Sequence, residues 1–325
     1  MTGWQAARLA AAALVGVGLI AAAASAQDYP TKPIRLIIGF GPGGLGDIAA
    51  RAMGQVITKS TGQAVVVENM PGAGAANAAL ALMRSPPDGQ TLLWVSSQNA
   101  IAKSMFKSLP YDWNRDFAPV GPMATFDFVL FVHKDSPLKT VRDVIEAAKS
   151  NPDKFNFGSI SVGSAQNLSA LSFIAMAGLK VPTVPFKTTG EVVTALISGN
   201  VQAAFETIPG VIGQINAGAM RAIAVSSNRR VPFLPDIPTI AESGVPGYLT
   251  YSWNGLVAPA KTPPNVIAAA NKLINSTIAT PEIQKRFREL IMEPRTGTPD
   301  DLQKIYDADV LMWRKVITEA KIQPN

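Results

Sequence analysis

The chain has 325 residues, 47% of them hydrophobic and 16% charged, with a formal charge of +6 and no cysteine. That length suits two lobes better than one small core, and that composition excludes a disordered chain. Without cysteine there is no disulfide, thiolate nucleophile or Cys metal site, and the scattered cations, with no basic run, argue against a nucleic-acid partner.

Met1 to Arg8 is a short positive segment, Leu9 to Ala24 is apolar, and Ala24-Ser25-Ala26 is an A-x-A cleavage site before the polar Gln27-Asp28. This pattern predicts a cleaved secretory signal over 1–26. Its apolar core is shorter than the roughly twenty residues that span a bilayer. The mature protein is expected to be exported and soluble.

Ile34 to Phe40 has the length and β-branched content of a buried parallel strand. It runs into Gly41-Pro42-Gly43-Gly44 and then into Leu45, Ile48, Ala49 and Met53, spaced as one face of a helix. Such a strand–loop–helix aims unpaired N–H groups and the positive end of a helix dipole at whatever lies above the strand. With no Lys or Arg between Arg35 and Arg51, an anion there would be held by backbone alone. The pattern repeats as Gln63 to Glu68, Asn69 to Gly74 and an alanine-rich helix to Met83. Thr91 to Val95 follows as a strand, with Ser96 to Asn99 read as a polar loop. This order predicts a parallel sheet whose ligands sit at the carboxyl edge of the strands.

Leu109 to Val120 reads as an irregular bridge, Phe126 to His133 as a strand and Val141 to Lys149 as a helix. A second α/β series then begins. Phe155 to Gly158 leads through Ser159 to Ser164 into a helix reaching Ala177; Val184 to Phe186 leads into a helix over Glu191 to Ser198. Ala203 to Glu206 leads through Thr207 to Gly210 into a helix from Val211, and Arg221 to Ser226 is a strand. After the Pro-rich stretch Arg229 to Gly247 and the strand Ser252 to Ala258, three helical segments finish the chain. The last opens with Thr298 as N-cap and Pro299 at the first helical position. Two α/β lobes joined by crossover strands are expected to face each other across a cleft, with the C-terminal helices packed back on one of them.

Gly41 to Gly46 also fits G-x-G-x-x-G, with Glu68 ending the next strand. Against a dinucleotide stand Asp47, a carboxylate where pyrophosphate would sit, and the export signal. A P-loop fails because Gly46 is followed by Asp47 and not Lys. Asp47 is readable either as a helix N-terminal charge or as a ligand contact through water. Ser161, Ser164 and Asn167 could cap a helix or seat a polar ligand. Glu206 reads either as a solvated residue at a strand end or, if it faces the cleft, as a group that rejects anions or accepts from an ammonium or hydroxyl. His133 is the only histidine, so there is no Zn ligand set, no Cys–His pair, and no G-x-S-x-G elbow beside it. A non-enzymatic protein without metal or cofactor is expected. An exported enzyme acting on a carboxylate and a ligand-sensing module remain as alternatives.

Tyr29-Pro30-x-Lys32-Pro33-Ile34-Arg35 leads into Phe40-x-Pro42-Gly43-Gly44-x-x-Asp47-x-x-Ala50-Arg51. Then come Val67-Glu68-Asn69-x-Pro71-Gly72-Ala73-Gly74, Pro87-Asp88-Gly89-x-Thr91-Leu92-Leu93, Leu109-Pro110-Tyr111-Asp112 and Asp116-Phe117-x-Pro119-Val120. Leu234-Pro235-Asp236-x-Pro238-Thr239 and Trp253-x-Gly255-Leu256-x-Ala258-Pro259 complete the series. In this order the motifs resemble the Bug-type solute receptors of the tripartite tricarboxylate transport family. The resemblance implies an α/β, two-lobed periplasmic binding protein (type II-like), each lobe a mainly parallel sheet flanked by helices. One lobe would comprise 27–125 plus 250–325, the other 126–249. It implies a monomer that closes on a small organic acid and meets a membrane permease. Carried over, the first-lobe contacts fall on Phe40, Pro42, Gly43, Gly44 and Asp47, the second-lobe contacts on Gly163, Ser164 and Asn167, with Ser97 and Thr207 as looser assignments.

Overall fold

The computed structural model describes residues 29–72, 75–319 and 321–322. Residues 1–26, expected to be a cleaved signal, lie outside the described residues, among which no helix is long and apolar enough to cross a membrane. The chain opens with β1 (Ile34–Ile38), α1 (Leu45–Thr61), β2 (Val65–Asn69), α2 (Ala76–Met83), β3 (Thr91–Ser96), α3 (Ser97–Met105) and the single-turn α4 (Trp113–Asp116). β1 lies between β2 and β3, parallel to both. The apolar run after Lys32 therefore becomes the centre of a parallel unit: Ile37 and Ile38 are fully buried, and the glycine loop emerges at the carboxyl edge.

The next strand, β4 (Phe117–His133), organises the molecule. Up to Asp127 it pairs antiparallel with β9 (Tyr251–Pro259), which in turn pairs antiparallel with β3. From Phe128 onward it pairs antiparallel with β7 (Ala203–Thr207) and β8 (Met220–Val225). The sequence divides this strand into a bridge and a shorter strand because Pro119, Gly121 and Pro122 read as breakers. They are absorbed by register shifts against β9 at Pro119/Gly121 and Pro122/Ala124. A second correction concerns Ser96 to Asn99. Ser96 Oγ accepts from Gln98 N–H (3.3 Å) and Asn99 Oδ1 accepts from Ser96 N–H (3.0 Å), a capping arrangement that opens α3.

The second half-sheet adds β5 (Phe157–Ile160), β6 (Thr183–Phe186) and β7, with β5 parallel to both neighbours. Between these strands run α5 (Val141–Ser150), α6 (Ala165–Met176), α7 (Thr189–Ile197) and α8 (Ile208–Asn216). The full order is β2-β1-β3-β9-β4-β7-β5-β6, with β8 beside β4 as well. Each half is thus parallel at its flank and antiparallel where the long strands cross. After β9 come α9 (Pro264–Ile278), α10 (Pro281–Glu289), the two-residue β10 (Glu293–Pro294) beside β4, and α11 (Pro299–Glu319).

Apolar clusters cover both faces of each half-sheet. In the first half, α1, α9 and α10 pack on one face and α2, α3 and α11 on the other. The C-terminal helices therefore return to the first half-sheet. α11 is fixed there by Trp113, which stacks on Tyr306 at 3.9 Å and meets Trp253 edge-on at 6.4 Å. Thr298 opens this helix, its Oγ1 accepting from Asp301 N–H. From the second half, α6 reaches across and buries Leu168 in the cluster beneath α11.

Ser226, fully buried, ties the crossing segments together. Its Oγ accepts from Phe128 N–H (2.9 Å) and donates to Thr250 C=O (2.6 Å), while Ser226 N–H and C=O bond the same two residues. Ser226→Ala would leave a buried donor and a buried acceptor unpaired. It is expected to lower the unfolding free energy by about 2 kcal/mol, read as a reduced urea midpoint with an unchanged slope.

Candidate functional site

A cavity of about 530 Å³ lies where the two half-sheets meet. Its walls come from the β1–α1 loop, one face of α3 along its length, the β4 and β9 segments at the crossing, and the β5–α6 loop. The two loops share one construction. In the first, Gly43 has φ +80° and Gly44 is the N-cap of α1; in the second, Gly163 has φ +79° and Ser164 is the N-cap of α6. In each, the third residue of the helix reaches back to the glycine: Gly43 N–H donates to Asp47 Oδ2 (2.9 Å), and Gly163 N–H donates to Asn167 Oδ1 (3.3 Å). The left-handed glycine and this back-bond turn the chain so that the next N–H groups point off the helix end.

Asp47 is 3% exposed and does not line the cavity. Besides Gly43 it accepts from Arg51 Nε (3.0 Å) and from Asn69 Nδ2 (2.9 Å), and Asn69 also bonds Phe40 C=O. The Arg51 bond, with those from Gly43 and Asn69, holds its carboxyl down at about 2. Asn167, also buried, donates to Ser159 Oγ (3.0 Å) and Thr183 Oγ1 (3.2 Å). Both residues brace the loops from behind. Pro42 and Gly43 likewise stand off the cavity wall, whereas Phe40, Gly44, Ser97, Gly163, Ser164 and Thr207 lie on it.

The first turn of α1 has no side-chain cap. Gly46 matters here because a Cβ would come within 3.1 Å of the Phe40 ring, which lies over the loop. In the second loop, Ser164 Oγ caps Asn167 N–H and donates to Ile160 C=O (2.6 Å). Among the described residues no Lys, Arg, His, Asp or Glu side chain lines the cavity. Glu206 is buried behind it, accepting from Gln166 Nε2 (2.8 Å), Thr189 Oγ1 (2.8 Å) and Thr207 N–H (2.7 Å). It positions Gln166 and Thr207 and presents no carboxylate to the cavity. The floor carries Ser252 and Asn254 of β9; Ser252 Oγ and Ser97 Oγ are 2.6 Å apart.

Several wall residues escape a reading of the sequence: Phe106, Met105, Phe126, Phe128, Ile160 and Asn254. The first four look like ordinary core, Ile160 falls within the stretch Ser159 to Ser164 read as a loop, and only the crossing of β4 between the half-sheets brings them to one cavity. The dinucleotide reading loses its acidic partner, since Glu68 is paired bidentately with Arg35 (2.8 and 2.9 Å). No cluster of three or more potential metal ligands occurs among the described residues.

Two half-sheets joined by crossing strands, with loop-headed helices on both sides of one cavity, define a two-lobed binding protein. The chain belongs to the tripartite tricarboxylate transporter family receptor group, TctC, whose family model matches residues 49–322. It is similar to the periplasmic binding protein BugD at 29% identity and a TM-score of 0.77, covering 91% of this chain and 99% of that one. A protein of R. palustris solved with adipate, Rpa4515, is 31% identical with a TM-score of 0.81, over 92% and 100% of the two chains. MatC from Rhodopseudomonas palustris with bound malate is 27% identical with a TM-score of 0.75, over 89% and 100%.

Proposed function

We propose that this protein is an exported receptor that binds a small organic carboxylate between its lobes and delivers it to a membrane permease. One observation carries the carboxylate: an uncharged cavity is headed on both sides by loops that open helices, one of them uncapped. Such donors favour an anion without a salt bridge. Relatives solved with adipate and malate support the same class of ligand. Phe40, Gly44, Ser97, Gly163, Ser164 and Thr207 form the contact set, with Pro42, Gly43, Asp47 and Asn167 shaping the loops. The lobes are taken as 27–125 plus 250–325 and 126–249, a division supported by β4, which changes partners between Asp127 and Phe128. Ligand in the cleft favours the closed arrangement by its extra contacts there, which is what a permease would read. Export through removal of 1–26 completes the reading, and a monomer without catalytic activity suffices for it.

The test is thermal melting of the purified protein against carboxylates, their neutral amides and NAD. At a hundredfold excess over Kd a true ligand stabilises by about 2.7 kcal/mol, a rise of roughly 5 °C or more. A shift with an acid but not its amide, with the acid recovered chemically unchanged, is the expected result. A shift with NAD alone, or turnover of the acid, would overturn the reading.

A further inference from the structure

The cavity wall is mostly apolar, and its buried polar groups are largely occupied by the protein. Phe40, Met105, Phe106, Phe126, Phe128 and Ile160 all face it. Ser97 and Ser252 bond each other, Ser164 Oγ both donates to Ile160 C=O and accepts from Asn167 N–H, and Gln166 Nε2 is held by Glu206. Ser161 and Gln98 also line the cavity, solvent-exposed and without a partner for their side chains among the described residues. Among the fully buried side-chain atoms of the wall, Asn254 Oδ1 alone lacks a partner. A hydroxylated acid entering here would lose water from several hydroxyls against a wall in which apolar side chains predominate and Asn254 Oδ1 is the one buried side-chain atom left unpaired, a poor replacement. An alkyl chain or aryl ring would instead leave water for apolar surface over its whole length.

Building on the carboxylate reading, we propose that the ligand is a carboxylic acid with an apolar, largely unhydroxylated body, an alkyl chain or an aryl ring. Its carboxylate takes the loop N–H groups, and its body lies against Phe126, Phe106 and Met105. Specificity then resides in the crossing segment of β4 and in α3, while the glycine loops serve any acid. Malate and other short hydroxy acids are disfavoured by the same wall.

Calorimetric titration of the purified protein with the straight-chain series from propanoate to octanoate tests this, alongside phenylacetate, malate, adipate and octanamide. Kd is expected to fall about fourfold per added methylene until the cavity is full, the fold-change equivalent of burying one CH₂. Phenylacetate should bind at least tenfold more tightly than malate. Separating the two arms, a steep alkyl series with weak phenylacetate identifies a chain-shaped ligand, and the reverse an aryl one; either supports the proposal. Phe126→Ser should flatten the series, with Met105→Ser as a second variant should the first not fold; the ranking by the unaltered protein decides the matter by itself. Tightest binding by malate, or a flat alkyl series, would overturn this inference and leave the carboxylate receptor intact. Octanamide binding as tightly as octanoate, or silence from every acid, would overturn the receptor reading as well.

Discussion

Asp47→Ala is expected to lower the unfolding free energy by about 3 kcal/mol, the cost of breaking a buried charge-assisted network, and to weaken every carboxylate ligand at least tenfold. The carboxylate is nearly inaccessible, and one side chain holds together the left-handed Gly43, Asn69 at the end of β2, and Arg51 one turn along α1. Arg51 is half exposed and regains water when its partner is removed. The half-buried Asn69 amide does not have that outlet to the same degree, and Asn69 in turn fixes Phe40 C=O at the rim of the cavity. Loss of the brace frees the loop, so the N–H groups of the first turn of α1 must be ordered again each time a ligand binds. A brace predicts one common factor of weakening across different acids, measured by calorimetry. Selective loss for one acid would mark Asp47 as a direct or water-bridged contact instead. Full affinity in a folded variant would reduce it to a helix N-terminal charge. Because its folded pKa lies near 2, below the unfolded value of 3.8, its stabilisation is complete above pH 4 and is lost as pH falls toward 2.

What the residues disclose in advance, and what they withhold, follows the range of the forces involved. The strand, glycine loop and helix from Ile34 to Thr61 are legible because hydrophobic period and backbone freedom are local properties. The same holds for α11, announced by Thr298 and Pro299. β4 is not legible as one strand, since the tolerance of Pro119 and Pro122 depends on bulges shared with β9, which lies more than a hundred residues away. Asp47 and Asn167 are marked as special by their place after a glycine loop, but periodicity does not say which way a polar side chain turns. Both turn inward to the loop. The apolar wall is the hardest part to foresee: Phe126 and Phe128 sit in a run that reads as buried strand, and only the change of partners at Asp127 and Phe128 opens a cavity beside them.

Asp309→Asn is expected to make the protein more stable at pH 8, by about 3 kcal/mol, and to leave its stability near pH 4 unchanged. Asp309 lies on the inner face of α11, 2% exposed, with Trp253 Nε1 donating to its Oδ2 at 2.8 Å. Burial raises its pKa from 3.8 to about 7, opposed by the indoles of Trp253 and Trp313. Oδ1 and Trp313 Nε1 are both left without a partner in bonding geometry. The folded protein therefore holds a proton that the unfolded chain releases between pH 4 and 7, so stability declines as pH rises through that interval. Full ionisation above pH 7 places an unpaired charge in the core beneath the Trp113, Trp253 and Tyr306 cluster. The amide of asparagine keeps an acceptor for Trp253 and removes the charge. A residual slope should survive in the variant, because partly buried Asp127 also has its pKa raised, to about 6, by burial and by Glu293. Urea midpoints of both proteins at pH 4, 6 and 8 resolve these contributions: the gap between the curves should open only above pH 4 and widen to pH 8. Parallel curves would mean that Asp309 is already solvated in the folded state, with α11 lifted from the sheet far enough to admit water.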